Sequence, residues 1–276
     1  LFRSHQGVTN GAKQISNHEY FAKLAQKIIS ILSTTTREGF VYKLDTRLRP
    51  SGNAGPLVTS LGSFVEYHHQ EAQIWERQAL TKARVVIGPP ALENQINLVI
   101  RQTVYGQSLP DEGRHEIHRL RMRMEHEIAK EGASNYNIKT GRGGMVDVEF
   151  IAQYLQLTHG MQYPQLHSQN TITALKAARE AGVLTSNDAE PLINGYKFLR
   201  KLENRLRLLH DHSISDLARD QHYLDKLARR LGYDPKLRHP GQALLADYET
   251  TTEQIRAVYA RTLGADCLGQ EETPTP

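Results

Sequence analysis

Apolar residues recur along this chain at two different spacings. From residue 18 to residue 34, Phe21, Leu24, Ala25, Ile28, Ile31 and Leu32 fall three and four positions apart, which predicts a helix capped by Asn17. Thr34, Thr35, Thr36 and Gly39 close it. The period then changes. Residues 41–50 alternate as a strand does, with Val41 and Leu44 apolar, and the run breaks at Pro50 and the glycines behind it. Residues i, i+2 and i+4 of a strand share a face, so Asp45, Arg47 and Arg49 are expected to point one way. Residues 56–60 predict a second short strand. Helical spacing returns over 61–70, 71–86 and 91–104, and the polar residues 1–16 read as a loop.

Beyond the linker at 106–111 the pattern is helical throughout. Ile117, Leu120, Met124 and Ile128 form the stripe of a charged helix over 111–130. Further helices are predicted over 145–155 onward, 168–181, 186–211, 219–231 and 242–263. Short connections between helices predict an antiparallel helical bundle. The fold class is therefore mainly α, with a small β part near the front. The domains are read as 1–106 and 107–264, with residues 265–276 a polar, disordered tail.

Composition narrows the class. The chain has 276 residues, 39% hydrophobic and 23% charged, as a soluble globular protein has. No apolar run is long enough for a bilayer, no signal peptide is visible, and no membrane partner is expected. The single cysteine, Cys267, allows no disulfide framework and suits a cytoplasmic location. A formal charge of +4 suits a nucleotide or an acidic partner, and is too small to argue for nucleic acid. The thirteen histidines lack zinc spacing.

Three stretches carry candidate chemistry. Asp45 with Arg47 and Arg49 offers a carboxylate for a cation and guanidinium forks for phosphate oxygens. The same residues also fit an internally paired edge strand. Over 73–84, Glu76, Arg77, Lys82 and Arg84 are dense enough for helical ion pairs on a solvated face. Gly141, Gly143 and Gly144 permit a tight turn before a helix, and Asp147 lies in its first turn, where a carboxylate suits the helix dipole. Asp147 and Glu149 read either as second-tier site residues or as caps and structural pairs.

Four segments together resemble the [glutamine synthetase] adenylyltransferase family: LDTRLRPSGNAG at 44–55, WERQALTKAR at 75–84, GGMVDVEF at 143–150 and FLRKLENRLRLL at 198–209. The resemblance runs from about residue 20 to about residue 231, and the wording of the loop looks like the C-terminal, adenylyl-transferring half. It implies the remnant of a DNA polymerase β-like mixed sheet ahead of the bundle. It implies AMP transfer from ATP to a tyrosine of glutamine synthetase, with removal by phosphorolysis in the family's other half. It further implies Mg²⁺, with Asp45 as a catalytic and metal-holding carboxylate, phosphate contacts from Arg47, Arg49, Lys82 and Arg84, and glutamine synthetase and a PII-type signal protein as partners. The family's Asp-x-Asp pair does not precede Asp45, where the first acidic residue is Glu19. The chain is thus expected to be part of a longer enzyme, truncated at its N-terminus and inactive alone. Two other readings stand beside this one: a non-catalytic helical module that docks glutamine synthetase or a PII-type protein, and a related PII uridylyltransferase.

Overall fold

The computed structural model describes residues 2–3, 7–39, 42, 44–132, 134–210, 215–234 and 236–264. The chain divides into two units, residues 1–107 and 108–276.

In the first unit, helix α1 (Asn17–Ser33) starts on Ser16, whose Oγ accepts the Glu19 N–H at 3.1 Å. The cap thus falls one residue before Asn17, because a serine oxygen in extended backbone reaches the third amide of the helix. Ala25 of α1 is buried, whereas Tyr20, Leu24, Ile28 and Ile31 are exposed. The stretch read as an N-terminal loop contains a strand, β1 (Phe2–Arg3), paired in parallel with β2 (Thr59–Ser60).

The strand expected through Asp45 does not form. Its described residues, Tyr42 and 44–50, are irregular or turning; Val41 and Lys43 lie outside the described residues. The reason is local. Asp45 Oδ1 accepts the Arg47 N–H at 3.0 Å, a side-chain turn that competes with any ladder, and Pro50 has no N–H to give.

Helices α2 (Leu61–Gln70), α3 (Ile74–Leu80) and α4 (Pro90–Tyr105) follow. The helix expected to reach residue 86 stops at Leu80, because β-branched Val85, Val86 and Ile87 and then Gly88-Pro-Pro favour extended backbone. Lys82 and Arg84 therefore sit in the connection, off the helix. Both α2 and α3 pack on α4, around Phe64, Ile96, Val104 and Tyr105. Arg77 is buried in this unit, and its guanidinium donates to Val104 O at 3.0 and 2.8 Å and to Gln107 O.

In the second unit, α5 (Gly113–Met124) runs into one π-helical turn (Glu125–Ala129) and ends on Lys130 in the left-handed region, φ 49°. Two strands absent from the sequence reading, β3 (Asn135–Asn137) and β4 (Asp216–Ala218), pair antiparallel with Tyr136 opposite Leu217. Helices α6 (Met145–His159), α7 (Thr171–Glu180), α8 (Ser186–His210), α9 (Gln221–Leu231) and α10 (Pro240–Tyr259) make up the rest, and a π-turn (Ala260–Gly264) extends α10. Asn170 and Asp220 cap α7 and α9. Helix α10 packs on α9, α8 and α6. The core holds Ile151 and Leu155 of α6, Leu199, Leu202 and Leu206 of α8, and Leu227, Leu244 and Ile255. The described residues are thus mainly helical with two small sheets. Among them, no helix is long and apolar enough to cross a membrane. The expected disorder of 265–276, with Cys267, falls outside the described residues.

Candidate functional site

The loop after Asp45 is wound around Arg49. Its Nε donates to Gly55 O at 3.0 Å, Nη1 to Thr46 O and Oγ1 at 2.7 and 3.0 Å, and Nη2 to Asn53 O at 3.2 Å. One guanidinium thus fixes the backbone of residues 46–55. Ser51 and Gly52 both turn left-handed, at φ 56° and 53°. A Cβ on Gly55 would collide with the Pro50 carbonyl. The spacing of Arg49, Gly52 and Gly55 is the conformational requirement of that loop.

Asp45 is exposed at the head of the loop and is held by Arg47. The Arg47 Nε donates to both carboxylate oxygens at 3.0 Å and Nη2 to Oδ2 at 2.6 Å. The bonded carboxylate, and then its charge, raise the Arg47 pKa. The structure brings Asp45, Arg49 and Arg84 onto the wall of one cavity of about 480 Å³. Pro50, Pro56, Leu57, Phe64, Val86 and Ile87 supply its apolar side. Arg47 and Lys82 are not part of that wall. A cavity of this size, apolar on one side with a carboxylate and a guanidinium at its edge, is of the kind that takes a flat organic group bearing charge. Nearby, Tyr67 donates to both Glu76 oxygens at 3.0 and 2.9 Å, so Glu76 orders α2 against α3. Burial, and then Glu76, raise the Tyr67 pKa.

The second unit places Asp147 quite differently. Asp147 and Arg121 are both completely buried and paired through Arg121 Nε and Asp147 Oδ1. The other oxygen, Oδ2, accepts Arg256 at 3.2 Å and the Gly143 N–H at 2.9 Å. Glu125 joins from the π-helical turn after α5, 3.2 Å from Arg121 and 3.1 Å from Arg256. Arg121 also donates to Gly141 O at 2.8 Å. Two carboxylates and two guanidiniums thus form a closed, charge-balanced cluster that ties the glycine turn to α5, α6 and α10. Gly143 is left-handed at φ 71°, and a Cβ there would overlap the Thr252 backbone. Glu149 accepts the Tyr196 hydroxyl at 2.7 Å. Burial, and then the Glu149 charge, push Tyr196 up to about 12. Sequence reading missed Arg121, Glu125 and Arg256. The available signal was Arg121 one turn after Ile117, a charge beside an apolar stripe.

Among the described residues, no group of three or more His, Cys, Asp or Glu is placed to hold a metal ion.

Comparison with known proteins decides the family. Residues 1–98 match the family model described as glutamate-ammonia ligase adenylyltransferase, and residues 114–263, more than half of the chain, match that of GlnD PII-uridylyltransferase. The bifunctional glutamine synthetase adenylyltransferase/adenylyl-removing enzyme of Mannheimia succiniciproducens is 36% identical over 235 residues, which is 83% of this chain and 24% of that protein. The enzyme of the same name from Rhodopseudomonas palustris strain CGA009 is 34% identical over 266 residues, 96% of this chain and 26% of that protein. That of Mannheimia haemolytica is 37% identical over 209 residues, 75% of this chain and 22% of that protein. The chain belongs to the glutamine synthetase adenylyltransferase family. Its residues 114–263 belong, as a domain, with the GlnD PII-uridylyltransferase model. The chain spans about a quarter of the length of the adenylyltransferases it matches. In this family member, the Asp45 loop lies inside the adenylyltransferase match and the Asp147 cluster inside the uridylyltransferase match.

Proposed function

We propose that the protein carrying this chain transfers AMP from ATP to a tyrosine of glutamine synthetase, in the cytoplasm, and that Asp45 is its catalytic residue in the first unit. The observation that carries this reading is the cavity that gathers Asp45, Arg49 and Arg84 within the segment matched to glutamate-ammonia ligase adenylyltransferase. In the transfer, the tyrosine oxygen bonds to the α-phosphorus, the bond to the β-phosphate breaks, and pyrophosphate leaves. Asp45 orients the hydroxyl and takes its proton. Arg84, exposed on the cavity wall, and Arg47 and Lys82 near it supply positive charge toward the phosphates. Arg49 acts through the loop it holds.

Mg²⁺ belongs to this reading through Asp45. The residues present do not themselves make a two-ion site: they bring one carboxylate, with both oxygens engaged by Arg47.

The match of residues 114–263 favours a second role for the helical unit, contact with a PII-type signal protein. The test of the main reading is Asp45→Asn in the longest protein that carries this chain. Turnover should fall by about two orders of magnitude, about 2.7 kcal/mol in barrier height, with ATP binding little changed. A variant with full turnover would leave Asp45 as a surface ion pair. A wild-type protein that labels no glutamine synthetase from ATP would remove the reading altogether.

A further inference from the structure

Helix α8 contains a device that the proposed AMP transfer does not use. Glu203 sits among the fully buried Leu199, Leu202 and Leu206 and is itself only 2% exposed. Its two oxygens hold two arginines of the same helix, Oε2 to Arg200 Nη1 at 2.7 Å and Oε1 to Arg207 Nη2 at 2.8 Å. Both guanidiniums remain close to half exposed. A leucine at position 203 would continue the core without loss. A buried carboxylate there is costly to desolvate, and what it achieves is to fix two otherwise flexible side chains. Arg200 is further steadied over the Tyr196 ring, 6.0 Å from its centroid.

The exposed positions of α8 next to the pair carry one sign, with exposed Glu190 further back on the helix and exposed Asp234 beyond the end of α9. Lys197, Arg200, Lys201, Asn204, Arg207 and Leu208 are exposed at helical spacing, and this face has four cations and no exposed carboxylate. With Arg205, residues 197–207 carry five cations against Glu203, a net +4, equal to the formal charge of all 276 residues. Lys201 donates to Leu231 O at 2.9 Å, which joins this face to the end of α9, where Lys226, Arg229 and Arg230 are exposed. Leu208 stands 77% exposed beside the second arginine.

We propose that this face of α8 is a docking site for an acidic segment of a partner protein. The prearranged guanidinium forks pair with its carboxylates and Leu208 takes an apolar side chain next to them. Arginines held in place lose little entropy on binding and favour the planar, two-pronged geometry of a carboxylate. The exposed leucine distinguishes a protein segment from a free anion, which has no use for it.

The test uses the 276-residue chain, a fluorescein-labelled octapeptide of alternating Glu and Leu, and inorganic pyrophosphate as the free-anion probe. R200K/R207K keeps every charge and removes the forks, and should weaken peptide binding by about fivefold. Removing the whole device with R200Q/E203Q/R207Q, which leaves no buried unpaired carboxylate, should weaken it by about tenfold or more. L208S, on the surface and harmless to the fold, should weaken the peptide and leave pyrophosphate unchanged. K23Q/K27Q, which removes two charges from α1, should leave peptide binding unaltered. Equal losses in the α1 and α8 variants would overturn the proposal in favour of bulk charge. Peptide binding that ignores L208S while pyrophosphate competes at equal concentration would overturn it in favour of a simple anion site.

Discussion

Asp45 and Asp147 are the same residue, each bonded to arginine and each beside a glycine-containing turn, and they do opposite work. Asp45 lies at the surface of the first unit with the Arg47 guanidinium on it. Asp147 is wholly inside the second, with Arg121, Arg256 and the Gly143 amide on its two oxygens. An exposed pair in water is worth little and leaves the carboxylate available to a ligand. A buried one is obligatory, because either charge left alone inside the protein is expensive. Burial, and not residue identity, separates a group poised for chemistry from one committed to architecture.

The largest effect expected from this contrast is on folding. Asp147→Asn keeps the size of the side chain and removes the charge that neutralises buried Arg121. It should destabilise the chain by about 3–5 kcal/mol in urea unfolding, while Asp45→Asn should leave the unfolding curve nearly in place. Equal, small losses at both positions would mean that burial does not separate them.

The glycines sharpen the same contrast. Gly143 and Gly52 are both left-handed, at φ 71° and 53°. Around Gly143 a methyl group would overlap Thr252, whereas around Gly52 the nearest atom, Arg47 O, is 3.7 Å away. Gly143→Ala should therefore lose about 3 kcal/mol, from strain plus overpacking, and Gly52→Ala only about 1 kcal/mol from strain. Calorimetric melting of the two variants side by side checks the difference. A loop that tolerates alanine at Gly143 would show that the glycine turn is not locked against α10.

These particulars also show what was legible in the sequence. Helices of the second unit were readable because long apolar stripes, such as Leu192, Leu199, Leu202 and Leu206 of α8, are buried: α8, expected over 186–211, forms over Ser186–His210. The strand through Asp45 was misread because alternation alone cannot see that Asp45 bonds back to the Arg47 amide. The strands Asn135–Asn137 and Asp216–Ala218 are three residues each, too short for any period to register. Asp45, Arg49 and Arg84 share a cavity wall, but the guanidinium of Arg49 serves its own loop, which composition could not reveal. The buried cluster was half visible: Asp147 stood out beside the glycines, while Arg121 and Glu125, one helical turn apart, and Arg256 are far from Asp147 in sequence and reach it only through packing.

A smaller, pH-dependent effect follows on the buried side. His118 lies 3.2 Å from the Tyr259 hydroxyl, at the edge of the Asp147 cluster. Burial lowers its pKa, and then Arg256, His115 and Arg114 do, against Asp147, which raises it. A folded value below the ordinary 6.5 means that its stability contribution is complete above that pH. The contribution is lost as pH falls toward and through the lower folded value, because the unfolded chain takes the proton first. His118→Gln should flatten the acid-side decline of the melting temperature by less than one proton's worth. Burial also lowers His68 and His159, so part of the decline should persist. An unchanged slope would take His118 out of the cluster's electrostatics.

The smallest expected effect returns to the surface. Arg47→Gln removes the guanidinium bonded to Asp45 and keeps a hydrogen-bond donor of similar reach. Both side chains are more than half exposed, at 74% and 55%. Water and salt screen the pair, and Asp45 is open to solvent with or without it. The melting temperature should move by less than about 1 °C, and adding salt should shift the wild-type and variant curves alike. Turnover in the full-length protein reports on something else. Loss of Arg47 removes its bonds to both Asp45 oxygens and one positive charge near the cavity, so the rate should change even though the stability does not. A variant that melts several degrees lower would show that the loop depends on this pair as the buried cluster depends on its own. The contrast between the two aspartates would then fail at its exposed end.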